Sequence, residues 1–208
     1  MPLGYLQAGQ SISGQAEDNT TVALNVNGAT PTNGGRLKVS NILIGPTALA
    51  SIGTATTDVA GQWWLTDVLV PYNRTVTTIG VLQGSTATTD KIRVAVWDSF
   101  GKLVGASALA GVSLATANTF KELPLLLDNN GAAVTSLKLY GPQRYFVGVQ
   151  GNGTAAAAIQ TIKAATYIDV LGETLAGTFT ATSFATIPAT ITPPTTWTAD
   201  LAPIVYFV

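Results

Sequence analysis

The sequence predicts an all-β chain: a β-sandwich or jelly-roll core with extended N- and C-terminal arms. Three observations lead there. Apolar residues do not recur at helical spacing, and β-branched Thr, Val and Ile dominate, as suits a pleated, half-buried surface. Gly (21) and Pro (10) fall between short apolar runs, which is how turns punctuate strands. The runs recur roughly every 8–15 residues, a spacing that favours a sandwich over alternating strands and helices. By composition the chain divides into residues 1–60 (arm and first strands), 61–170 (sandwich core) and 171–208 (a Thr/Pro-rich arm ending in a strand).

In order along the chain, isolated apolar runs at Thr21–Val26 and Leu37–Ile44 mark the first strands. QWWLTDVLV (Gln62–Val70) reads as a strand stopped by Pro71, and TVTTIGVL (Thr75–Leu82) as the next. KIRVAVWD (Lys91–Asp98) alternates, with Ile92, Val94 and Val96 on one face and Arg93, Ala95 and Trp97 on the other. Ser99–Phe100–Gly101 makes the turn, Gly101 supplying a positive φ, and Lys102–Leu109 returns. Thr119–Leu125 is a strand whose Pro124 points to an edge or a strand end. Leu137–Tyr140 and Arg144–Gln150 bracket a Gly141–Pro142 turn, and Ala155–Ile162 follows the Gly151–Gly153 turn, with Ala155–Ala158 open to a helical alternative. PIVYFV (Pro203–Val208) closes the sequence as a strand that needs a pairing partner, since unpaired termini fray.

Composition removes whole classes of chemistry. The chain has no His and no Cys, which excludes imidazole bases, Ser–His and Cys–His pairs, zinc ribbons and disulfides. Catalytic residues, cofactor sites and metal sites are therefore expected to be absent. Ten basic residues against 11 acidic give a net charge of −1, too weak a footprint for nucleic acid. Only 10% of residues are charged, against roughly 25% in an average domain. The uncharged stretches Val39–Thr57, Leu103–Phe120 and Thr174–Ala199 are too broken by Thr, Ser, Asn, Gly and Pro to be membrane spans. MPLGYLQAGQ carries neither a basic nor an apolar leader segment, and the lack of Cys fits a reducing cytosol.

Several small motifs have modest readings. The carboxylates are scattered, and Asp90, Asp98 and Asp128 flank turns, where solvated acids belong. Asp128–Asn129–Asn130–Gly131 faintly suggests a calcium loop, but a type I′ turn is the simpler reading. The four tryptophans are the more specific signal. Trp63 and Trp64 are adjacent in one strand, so pleating sends them to opposite faces. One enters the core; the other faces a partner, a sugar, or an arm of the same chain. Trp97 belongs to the core and Trp197 pins the Pro-rich tail. Trp63, Trp64 and Trp197, with Tyr206 and Phe207 of the last strand, are the candidate interface residues.

QWWLTDVLVPYNRTVTTIGVLQG, KIRVAVWDSFGKLV and LYGPQRYFVGVQGNG together share a cadence: a strand, a hairpin around Asp98–Gly101, and a Gly–Pro–x–x–Tyr approach to a later strand. Over about residues 61–162 this resembles the β-sandwich modules of tailed-bacteriophage virion proteins, most of all capsid decoration (cement) and head-fibre proteins. The resemblance implies a structural, non-enzymatic protein of the virion, assembled in the host cytoplasm. Its implied partners are the major capsid protein or other virion subunits and further copies of itself, as a dimer or trimer. The alternative is a carbohydrate-binding module of a phage fibre or surface protein, with its platform at Trp63 or Trp64.

Overall fold

A computed structural model of the chain describes residues 39–40, 53–57, 59–153, 158–162, 175–180, 183–184 and 186–208. These residues are all-β, with no helix among them. Their strands are β1 (Val39–Ser40), β2 (Gly53–Thr56), β3 (Gln62–Val70), β4 (Arg74–Val76), β5 (Thr78–Leu82), β6 (Lys91–Trp97) and β7 (Leu103–Ser107). There follow β8 (Val112–Ser113), β9 (Phe120–Asp128), β10 (Leu137–Leu139), β11 (Gln143–Gly151), β12 (Ile159–Ile162), β13 (Ala176–Thr180) and β14 (Val205–Phe207). The run at Thr21–Val26, most of Leu37–Ile44 and the alanine run Ala155–Ala157 lie outside the described residues.

Antiparallel pairing links the strands in the order β1-β14-β5-β9-β7-β6-β11-β3-β13, with β8 beside β6. The path folds into two layers because β9 belongs to both. Its first half pairs with β5 from Phe120 to Pro124, and its second half with β7 from Leu125 to Asp128. Pro124 is therefore neither at an edge nor at a strand end. It stands mid-strand where β9 changes partners and the β7 register shifts, a place where a missing N–H costs no ladder bond. The stretch Thr75–Leu82 is likewise two strands, because Thr77 turns aside to bond the Val208 carbonyl through its N–H (2.8 Å) and hydroxyl (3.3 Å).

Alternation fills the space between the layers. Val94 and Val96 of β6, Tyr145, Val147 and Val149 of β11, and Trp64 and Val68 of β3 point inward. They meet Ile79 and Val81 of β5, Leu123 of β9, and Val205 and Phe207 of β14. The last strand is paired on both sides, with β1 and β5, as its terminal position required. The described part of 171–208 is woven into both sheets of its own chain.

Two hairpins use the same device, Asp–x–x–Gly. Asp98 Oδ1 accepts the amides of Phe100 and Lys102, each at 2.9 Å. Asp128 Oδ1 accepts those of Asn130 and Ala132, each at 2.8 Å. Gly101 and Gly131 hold φ of 80° and 78°. Because Asn129 and Asn130 keep negative φ, the second turn is type I with a left-handed glycine and not the type I′ form expected.

The two glycines differ in surroundings. A methyl at Gly131 would meet nothing, whereas one at Gly101 would strike the Ile191 carbonyl. Gly131→Ala is expected to cost about 1–2 kcal/mol, the left-handed backbone alone. Gly101→Ala should cost distinctly more, read as a larger fall in the urea midpoint at constant m. Equal losses would show that the 191 segment does not lie against this hairpin.

Candidate functional site

Two places account for the aromatic side chains: a covered face and an open pole. The covered face is the outer side of the larger sheet. Register across β3, β11 and β6 stacks three rows there: Trp63–Gln150–Arg93, Leu65–Gly148–Ala95 and Asp67–Phe146–Trp97. The middle row is small, so Trp63 and Trp97 lean over it and meet edge to face at 5.3 Å. A β-carbon on Gly148 would come within 2.6 Å of Trp97 and 2.9 Å of Trp63, so the indole pair needs glycine there. Phe179 of β13 stacks on Trp63 at 5.9 Å.

A strap from the C-terminal region, built of residues 183–184 and 186–196, covers this face. Leu103 N–H donates to the Ala189 carbonyl (2.9 Å) and Ile191 N–H to that of Gly101 (2.8 Å), a strand-like fastening. Trp97 Nε1 donates to the Pro188 carbonyl (3.0 Å), while Ile187 and Ile191 pack on the aromatic cluster. The strap returns to β13, where Ala176 N–H meets the Thr196 carbonyl (3.2 Å).

Arg93 pins the strap. Its side chain is fully buried, 5.0 Å from the Trp63 ring centre and 4.8 Å from that of Phe184. Nε and Nη2 donate to Gln150 Oε1 (2.8 and 2.5 Å), and Nη2 also to the carbonyls of Thr186 (2.6 Å) and Ser183 (3.2 Å). No carboxylate among the described residues pairs with it, and burial pulls its pKa down to about 10, so it remains charged at neutral pH. An ion so placed costs several kcal/mol in desolvation. Two ring faces and charged hydrogen bonds, about 1.5–3 kcal/mol each, offset that cost only while the strap is down.

Asp67, at the other end of the same face, is also buried. Its carboxylate pairs with Arg144 and accepts the Leu175 amide (2.7 Å). Burial nevertheless outweighs these contacts and raises its pKa above the ordinary 3.8.

The candidate interface residues are placed by these arrangements. Trp63 is sealed under the strap and Trp64, on the opposite face, is in the inter-sheet core. Phe207 is in that core as well. Tyr206 lies across Gly80, donates its hydroxyl to Glu122 (2.8 Å) and is 6% exposed; burial and that carboxylate push its phenol upward. Trp197 packs partly buried against the cluster of Leu82, Ile162 and Ile204, so the tail is pinned as expected. As interface candidates Trp63, Trp64, Tyr206 and Phe207 are thus corrected: their own chain covers them, and they offer a partner no surface.

The open pole collects different residues. Tyr72 follows β3, Phe100 tips the β6–β7 hairpin and Tyr140 precedes β11; they are 40%, 87% and 56% exposed. The three loops touch: Gly141 abuts the Tyr72 backbone, Asn73 Oδ1 accepts the Gly141 amide (3.0 Å), and Gln143 Nε2 reaches Ser99 Oγ (3.5 Å). Tyr145 clamps the Tyr140 backbone, its hydroxyl accepting from the amide (2.8 Å) and donating to the carbonyl (3.1 Å). That clamp gives the Gly–Pro–x–x–Tyr pattern a physical role. Sequence reading passed over these aromatics, although each sits inside a turn, Pro71–Tyr72–Asn73, Ser99–Phe100–Gly101 or Tyr140–Gly141–Pro142, with no strand face to bury it.

Four of the described carboxylates are engaged separately: Asp98 and Asp128 in turns, Asp67 with Arg144, Glu122 with Tyr206. Groups that could hold a metal ion do not cluster among the described residues.

Arg93→Met is expected to free the strap while the sandwich stays folded. Proteinase K should then cut within 183–196 at least tenfold faster, with far-UV dichroism unchanged; an unaltered digestion pattern would contradict the pinning role. A second expectation concerns pH. Because its folded pKa is raised, the stability Asp67 contributes is complete below 3.8 and lost as pH rises through the folded value. Wild type should therefore lose stability relative to Asp67→Asn between acid and neutral pH in urea titrations, and the opposite slope would refute this.

Compared with known proteins, the chain matches no protein family, no curated protein and no solved structure.

Proposed function

We propose that the chain is a structural protein of a bacteriophage virion, one that decorates or cements the capsid through contacts between subunits. The reading is supported by one observation above others: a charge-poor Thr/Pro segment of this chain lies down on a sheet and is held there by main-chain bonds and buried rings. Segments of that composition are suited to fastening one folded body to another, the work a cementing protein does. The strap itself serves its own subunit.

The separate engagement of Asp67, Asp98, Glu122 and Asp128 in turns and internal pairs supports a scaffold role over a hydrolytic one, which needs two facing carboxyl groups. Sparse charge supports assembly, since near-neutral chains associate readily. About 25 cal/mol per Å² of apolar surface, repeated around a shell, makes even modest contacts between subunits effective.

The test is mass and attachment. Light scattering should return a dimer or trimer of the 21.4 kDa chain, and the protein should co-sediment with phage heads in a density gradient. A monodisperse monomer that stays at the top of the gradient would overturn the reading.

A further inference from the structure

We propose that the pole formed by Tyr72, Phe100 and Tyr140 is a glycan-binding site, a role that does not depend on the virion reading.

The first argument is preorganisation. Each aromatic sits on a loop whose backbone is held: Phe100 in the Asp98 turn, Tyr140 by the Tyr145 hydroxyl, Tyr72 against Gly141. Rings presented on fixed backbone lose little entropy on binding, which is what stacking against a sugar requires. Lys138 Nζ lies 5.4 Å from the Tyr140 ring centre, and the side chain is still 56% exposed.

The second argument is chemistry. The side chains that join the three loops are Ser99, Gln143 and Asn73, neutral groups of the kind that exchange hydrogen bonds with hydroxyls. Oδ1 of the adjacent acid, Asp98, accepts two backbone amides. The pole is thus equipped to hold a polyhydroxyl ligand.

The third argument is size. Fully exposed aromatics offer about 150–250 Å² each. At 40%, 87% and 56% exposure these three present roughly 370 Å² together. A stable protein interface needs about 800 Å² per partner. The three rings alone supply less than half of that.

The test is a printed array of neutral, sialylated and bacterial-surface glycans probed with the full chain, followed by calorimetry on the best hit. Wild type is expected to bind at least one glycan class. Phe100→Ala and Tyr140→Ala should each weaken it tenfold or more, while Trp197→Phe, away from the pole, should leave it unchanged. Phe100 stands almost wholly in solvent, so its removal leaves the fold intact, checked by an unaltered urea midpoint. No binding anywhere on the array would overturn the proposal. So would binding that survives both substitutions, or a pole whose substitution affects only attachment to phage heads.

Discussion

A guanidinium buried with no carboxylate partner among the described residues is the constraint on which the larger sheet depends. Arg93 sits mid-strand in β6, on the face opposite the inter-sheet core, where it would otherwise meet water. Its presence there is tolerable because Gln150 answers it from the next strand, Trp63 and Phe184 bracket it, and the strap carbonyls accept from Nη2, although Nη1 stays buried without an acceptor. The strap in turn exists as an ordered feature because the face beneath it is apolar and aromatic: Trp63, Trp97, Phe146 and Phe179 could not be left in water together. Charge and aromatic surface thus impose the same solution. The sheet has two buried faces, one closed by the other sheet and one by its own chain.

That arrangement separates structural from available aromatics. Where a strand face holds a ring, another layer covers it. Where a turn holds one, as at Tyr72, Phe100 and Tyr140, it stays in solvent on a braced loop. The pole consequently inherits rigidity from the sandwich without being part of its core. Loops on a fixed scaffold are the usual location of binding groups for this reason.

Much of the fold was legible in the sequence, and the residues say why. QWWLTDVLV and KIRVAVW carry their strand limits and their two faces openly, because period-2 alternation and flanking Pro or Gly are local signals. The adjacent tryptophans put one ring on each face of β3, yet nothing local said what the ring outside the core would meet. Non-local facts stayed hidden. Pro124 reads as a strand end until β9 is seen to trade β5 for β7. The 186–196 segment has no period at all, since it is held by its carbonyls and by Ile187 and Ile191, and not by a repeating face. The pole is not legible in the sequence, because sequence alone does not bring three separate turns together.

The low charge content takes on a specific meaning in this account. Where β3, β11 and β6 are covered on both sides, the sheet has no solvent face to furnish with Lys and Glu, so part of the deficit is internal to the subunit. Amide hydrogen exchange tests that central claim most directly. The N–H groups of Leu103 and Ile191, bonded to Ala189 and Gly101 across the strap, are expected to exchange as slowly as those of β6 and β11 in a dilute, isolated chain. Exchange at these two amides within seconds, beside a protected sandwich, would show that the outer face is covered by something other than its own strap.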